Sequence, residues 1–272
     1  MKLSAILTVF NRKEKTLNCL TSLFNITHDI DVYLVDDGST DGTWDAVKEK
    51  FPQVNLIKGN GNLFWSRGMY TAWKEAVKGD YDAYIWLNDD QKLRSNFLEE
   101  LFSVEQENNW NCIVTGRIAD IESGEIIYCG YDNNKKLLTK IGEIEEVTHM
   151  NGNVVCIPKS VVNKIGIIDP YYHHDLGDGD YGLRARERGI KVLTTRNIVA
   201  DGYRNDVDRL RKWGVSLKQR FKYLYSPLGS NPNINFYYRK KHFGIVHAVA
   251  FYCYQIVSTI LPDCIVQYGK SK

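Results

Sequence analysis

Tyr84-Ile85-Trp86-Leu87-Asn88-Asp89-Asp90 is a short apolar run that ends on two adjacent carboxylates. The run reads as a buried strand and the acidic pair as its exit. Neighbouring like charges at the tip of a buried strand each need a cation or hydrogen-bond donors. A hard divalent cation, Mg²⁺ or Mn²⁺, meets that need with oxygen ligands. Held by only one or two carboxylates, it shares its other positions with water and phosphate oxygens. Taken alone, the pair reads more readily as a solvated turn capping the next helix, and the rest of the sequence reverses that preference.

Working outward, residues 4–10, 31–35, 54–58 and 82–87 read as strands. Residues 12–24, 44–50, 65–78 and 95–106 between and after them carry helical spacing. Asp36-Asp37-Gly38-Ser39-Thr40-Asp41-Gly42-Thr43 is turn chemistry leading into a helix cap. Strands alternating with helices predict an α/β fold with a mostly parallel, mixed sheet covered by helices. Ligands of such sheets bind beyond the carboxyl ends of the strands. Asn11, Asp36-Asp37, residues 59–62 and Asp89-Asp90 all fall at those ends. The second half is less regular. Residues 112–116, 125–129, 154–157 and 191–194 read as strands, 135–142 as a loop or edge, and 171–178 as a polar loop. Residues 160–165 and 181–188 read as helices, the latter stopped by Gly189.

A chain of 272 residues, 43% hydrophobic and 25% charged, is sized for one large domain with an appendage. The expected division is 1–208, with halves 1–110 and 111–208, and an appendage at 209–272. A net charge of +2 gives no global reason to expect nucleic acid as a partner. No apolar stretch reaches the roughly 20 residues that span a bilayer. Met1-Lys2-Leu3-Ser4 leads straight into a strand, unlike a signal peptide. Six cysteines without a C-x-x-C pair suggest reduced thiols and a cytoplasmic location. The 17 tyrosines suit either a core or a sugar-binding surface.

Thr8-Val9-Phe10-Asn11-Arg12, Val35 to Asp41, Gly59-Asn60-Gly61-Asn62, Arg67, Asp89-Asp90 and Asp178-x-Asp180-x-x-x-Arg184-Ala185-Arg186 occur here in that order. Together they resemble family 2 glycosyltransferases of the GT-A (Rossmann-like) fold, in a bacterial rhamnosyltransferase-like flavour, over residues 3 to roughly 204. The resemblance implies a UDP or dTDP donor site built from Thr8, Phe10, Asn11, Arg12, Asp37, Gly61, Arg67, Asn88 and Asp89. Asp37 would accept from a pyrimidine imide, and Arg67, near a helix start, would grip the diphosphate. It implies a divalent metal on Asp90 and Asp89, with Asp201 standing where the family often has a histidine. It implies a general base at Asp178, with Gly177 replacing the family's usual Glu before it. On the acceptor side it implies Asn151 and Gly152, with His174 and Asp175 as further candidates. His149 reads as an ordinary polar residue.

From about residue 209 the chain turns basic and aromatic, with Pro227 and Pro232 interrupting the pattern. Residues 245–261 are apolar at helical spacing but carry His247 and Gln255. Two explanations stay open. One is a peripheral element lying on the cytoplasmic face of a membrane; the other is a set of helices packed on the catalytic domain. The implied activity is metal-dependent, inverting sugar transfer to a hydroxyl of a surface glycan or lipid-linked oligosaccharide. A non-catalytic nucleotide-sugar or glycan-binding module, or a sugar nucleotidyltransferase, is the alternative.

Overall fold

The computed structural model describes residues 1–205 and 208–270. The chain divides into two compact units, Met1–Pro170 with Gly177–Arg204, and Tyr171–Leu176 with Asn205–Lys272.

The first unit opens with β1 (Leu3–Val9), α1 (Lys13–Ile26), β2 (Ile30–Asp36), α2 (Thr43–Lys50), β3 (Asn55–Lys58) and α3 (Phe64–Ala76). After a 3-10 turn come β4 (Ala83–Leu87), β5 (Lys92–Leu93), α4 (Phe97–Glu107) and β6 (Cys112–Asp120). Three short strands follow, β7 (Ile126–Tyr128), β8 (Gly130–Tyr131) and β9 (His149–Met150). The unit closes with β10 (Val154–Pro158), α5 (Lys159–Ile165), α6 (Gly177–Glu187) and β11 (Lys191–Gly202). The main sheet runs β3-β2-β1-β4-β10-β6-β11-β5, with β7 paired to β6. β3, β2, β1 and β4 are parallel, β10 is antiparallel to β4 and β6, and β11 runs parallel to β6.

β4 is central, and all five of its residues are buried, as expected of a strand covered on both faces. Its period of two divides the core. Ala83, Ile85 and Leu87 pack with Cys19, Leu20 and Leu101 on the side of α1 and α4. Tyr84 and Trp86 pack with Met69, Trp73 and Tyr181 on the side of α3 and α6. Trp86 meets Trp73 at 5.3 Å and Tyr181 at 5.2 Å between ring centroids. These edge-on and tilted arrangements are the ones aromatic quadrupoles favour.

The second unit holds α7 (Leu217–Leu224), α8 (Pro232–Phe243), α9 (Ile245–Ile260) and α10 (Asp263–Lys270). Ser216 and Gln219 form a capping box on α7. Pro232 occupies the first turn of α8, where its missing N–H costs nothing, so it opens a helix rather than interrupting one.

Candidate active site

The alternation along β4 carries into its exit. Asn88 continues the Trp86 side, and its Oδ1 accepts from Trp65 Nε1 at 2.7 Å. Asp89 continues the Leu87 side, and its Oδ2 accepts from Thr16 of α1 at 3.3 Å. Arg12, at the start of α1, places Nη1 3.1 Å from Asp89 Oδ1 and 3.0 Å from Asp90 Oδ2. Asp90 Oδ1 accepts from Gln91 Nε2 at 2.9 Å. Burial, opposed in part by Arg12, pushes the Asp89 carboxyl up to about 6. Burial pulls Arg12 down, but the charges of Asp89 and Asp90 leave it raised overall.

Two carboxylates thus aim one oxygen each at a single cationic atom. The donor set fits a hard cation with phosphate and water completing its sphere, provided Arg12 withdraws. The Arg12 side chain is 42% exposed and can do so. No group of three or more His, Cys, Asp or Glu residues suited to a metal occurs among the described residues. Asp201, expected as a further ligand, sits on β11 opposite Lys92 and accepts from Arg94 Nε and Nη2 with both oxygens engaged. Its charge is already balanced by that guanidinium.

The donor-side residues gather at neighbouring strand exits. Asn11 takes positive φ, donates its amide to Ser39 Oγ at 2.9 Å and accepts the Thr40 amide at 2.7 Å. Phe10 is left 53% exposed beside that junction, and Thr8 lies against Gly68 of α3, where a Cβ would collide with the threonine. Arg67, in the first turn of α3, donates Nε to the Pro170 carbonyl at 3.3 Å.

Asp37 makes contacts that its place in the sequence does not reveal. Its Oδ1 accepts the Gly61 amide at 2.9 Å, and its Oδ2 accepts those of Leu63 at 2.8 Å and Phe64 at 2.9 Å. These are donors that the start of α3 would otherwise leave unpaired. The carboxylate caps α3 from across the sheet edge, and it is 4% exposed. It also holds Phe64 at φ 56, a conformation that a bulky residue adopts only under constraint. In this arrangement both of its oxygens anchor the turn into α3. Gly61, at φ 80, serves the same turn.

Asp178 lies in the first turn of α6, which begins at Gly177 and not after a loop running to residue 178. Its Oδ2 accepts the Gly152 amide at 3.0 Å and its Oδ1 the Gly179 amide at 2.8 Å. Gly177 has a packing reason: a Cβ there would lie 2.5 Å from Ser66 Oγ of α3. The Glu that the family pattern expects has no room. Gly152 is equally confined, 2.6 Å from Trp65 Cη2 and 3.1 Å from Asp178 Cβ for an added Cβ.

One polar relay joins the two carboxylate stations. Trp65 bonds Asn88, the Asn88 amide donates to the Asn153 carbonyl at 2.8 Å, and the two side-chain amides pair. Asn153 in turn bonds Asn151 Oδ1, and Gly152 between them donates to Asp178. Asn88, Asn151, Gly152 and Asp178 are therefore brought together, and Trp65, Asn153 and Thr16 join them. Trp65 was legible only as a helix residue, because its indole N–H meets a partner 23 positions away. His174 and Asp175 belong to the second unit, in Tyr171–Leu176.

A helix-flanked mixed sheet of this order, with acidic groups at the exit of its central strand, is the GT-A architecture of nucleotide-sugar-dependent transferases. Residues 4–151, over half of the chain, match the profile of glycosyl transferase family 2, and the chain belongs to that family. It is 28% identical over 123 residues to the poly(ribitol-phosphate) beta-N-acetylglucosaminyltransferase TarP of Staphylococcus aureus. It is 30% identical over 128 residues to a poly(ribitol-phosphate) beta-glucosyltransferase of Bacillus spizizenii. The matches cover 42% and 44% of this chain but only 36% and 20% of those proteins. In structure it resembles residues 1–349 of S. aureus TarS, at TM-score 0.57 and 14% identity over 75% of this chain and 60% of that one. TarS 1–349 in complex with UDP-GlcNAc gives 0.56 over 91% and 69%, again at 14% identity.

Proposed function

We propose that this chain transfers a sugar from a UDP- or dTDP-linked donor to a hydroxyl of a glycan or polyol-phosphate acceptor, with inversion at the anomeric carbon. The observation that carries the reading is the relay from Asn88, beside the Asp89–Asp90 pair, to Gly152 and Asp178. A hydrogen-bonded frame of this kind supports the reading because a single displacement needs the diphosphate and the proton acceptor in fixed relative positions.

Asp178 takes the proton of the acceptor hydroxyl as its oxygen attacks C1, and the bond from C1 to the diphosphate breaks with its electron pair on the leaving phosphate. Arg12 and Arg67 offset the charge on that phosphate, and Phe10 offers a flat apolar face to the base. Asp89 and Asp90 are the residues that would hold Mn²⁺ or Mg²⁺, which when bound acts as a Lewis acid toward the diphosphate. The names of the relatives make UDP-GlcNAc and UDP-glucose the first donors to try, with a poly(ribitol-phosphate) acceptor.

Release of free UDP in the presence of acceptor tests the reading. Asp178→Asn should lower kcat by roughly 100- to 10,000-fold while donor affinity stays near wild type. Pyrophosphate as the product would indicate a nucleotidyltransferase. Donor binding with no turnover by the wild type, across a panel of nucleotide sugars and acceptors, would sink the proposal.

A further inference from the structure

Helix α9 turns much of its apolar surface outward. Its inward side carries Ala248, Gln255 and Thr259, at 0%, 0% and 2% exposure, with Gln255 Nε2 donating to the Ser230 carbonyl at 2.6 Å. Its outward side carries Val246, Val249, Tyr254, Val257 and Ile260, and Val246 is 81% exposed. Ile265 of α10 extends the apolar surface. The 16 residues of α9 include no Asp, Glu, Lys or Arg. A surface helix of a soluble protein ordinarily shows polar and charged residues on its outward side, so this apolar face calls for an apolar cover.

Charge decides what the cover is. Residues 209–262 hold nine Lys and Arg and no Asp or Glu, in a chain whose total is 35 basic against 33 acidic. The remainder of the chain is therefore net acidic. Lys240 and Lys241 stand exposed at the end of α8, just before α9, with the Lys241 ammonium 5.6 Å from the Tyr237 ring centroid and 5.9 Å from that of Tyr172, and Lys218 and Lys222 are exposed on α7. Arg211 and Arg220 close the other end of α9, donating to the Leu261 carbonyl and pairing with Asp263. Cations thus stand at both ends of a helix that itself carries no charged residue, and the complementary partner carries anionic groups above an apolar layer. A second copy of the chain would bring the same excess of positive charge to the contact.

We propose that the outward face of α9 lies on the surface of an anionic lipid bilayer, with Lys240 and Lys241 on the headgroups. At 1.5 Å per residue, α9 is about 24 Å long, short of the roughly 30 Å hydrocarbon core. No helix among the described residues is long and apolar enough to cross a membrane. The helix therefore lies in the interface, with its apolar side chains below the headgroups.

The test is sedimentation of the full chain with vesicles of phosphatidylcholine containing about one-third phosphatidylglycerol, against phosphatidylcholine alone. The wild type should pellet with the anionic vesicles and lose most of its binding on the neutral ones. Lys240→Ala/Lys241→Ala should weaken the partition roughly thirtyfold at low salt. Val246→Glu/Val257→Glu should reduce it at least about tenfold. Both pairs are exposed, and circular dichroism checks that each variant folds. Wild type remaining in the supernatant with anionic vesicles would overturn the proposal, as would undiminished binding by a folded Val246→Glu/Val257→Glu. Light scattering that shows a dimer split by that double substitution would assign the face to a second copy instead.

Discussion

Asp37 and Arg12 show how much depends on single charged groups at the sheet edge. Asp37 anchors three amides of the turn into α3, so Asp37→Asn turns an amide N–H₂ toward donors and removes a charge. The variant should lose about 2 kcal/mol of stability by urea unfolding, with donor affinity falling as a consequence. Unchanged stability with weakened UDP binding would return Asp37 to a base-reading role. Arg12 poses the opposite problem, since it is the cation shared by two adjacent carboxylates. Arg12→Ala should cost about 1 kcal/mol in metal-free buffer, a modest figure because the guanidinium is partly solvated. Mn²⁺ should then raise the melting temperature of the variant by more than that of the wild type, and chelation should reverse the gain. Equal response of both proteins to Mn²⁺ would mean that the pair does not hold the ion.

At the scale of elements, the approach of α6 to α3 sets where Asp178 stands. Gly177→Ala should destabilise the chain by about 1–3 kcal/mol and lower kcat, because the new methyl group drives α6 off Ser66. Ser66→Gly, added to it, clears both the Oγ at 2.5 Å and the Cβ at 3.1 Å and should recover part of the loss. No recovery in the double variant would show that the glycine serves some other need. This contact also marks where the sequence stopped being informative. β1 to β4 and the helices between them were legible because each apolar run or stripe reports its own burial. The start of α6 was not, because Gly177-Asp178-Gly179-Asp180 has the composition of a loop and is helical only through its packing. β11 runs to Gly202, well past the expected 194, across register shifts between Thr194 and Ala200 that disguise its alternation. Two-residue strands such as β5 carry no period to read. Of the candidate site, the carboxylates were visible as residue types. Their partners, Arg12 for Asp89 and Arg94 for Asp201, lie 77 and 107 positions away, and only the fold reveals those pairings.

Across the whole molecule, stability should depend on pH through a buried acid far from that chemistry. Glu105 of α4 is fully buried, with Cys112 Sγ donating to its Oε2 at 3.2 Å. Burial pushes its carboxyl up to about 8 from an ordinary value of 4.5. Between those two values the folded chain holds a proton that the unfolded chain releases, so folding stability falls as pH rises through this window and levels off above it. The fall attributable to this one group is on the order of a few kcal/mol. Glu105→Gln keeps the shape and removes the titration. Its stability should match the wild type within about 1 kcal/mol near pH 5 and exceed it above about pH 8. Urea unfolding followed by the fluorescence of the buried Trp73 and Trp86 measures both curves. Asp89, raised in the same direction, titrates in wild type and variant alike, so the difference between the curves isolates Glu105. Parallel curves would mean that Glu105 is ionised in the folded chain, and the core around α4 would then have to supply a cation or water that balances it.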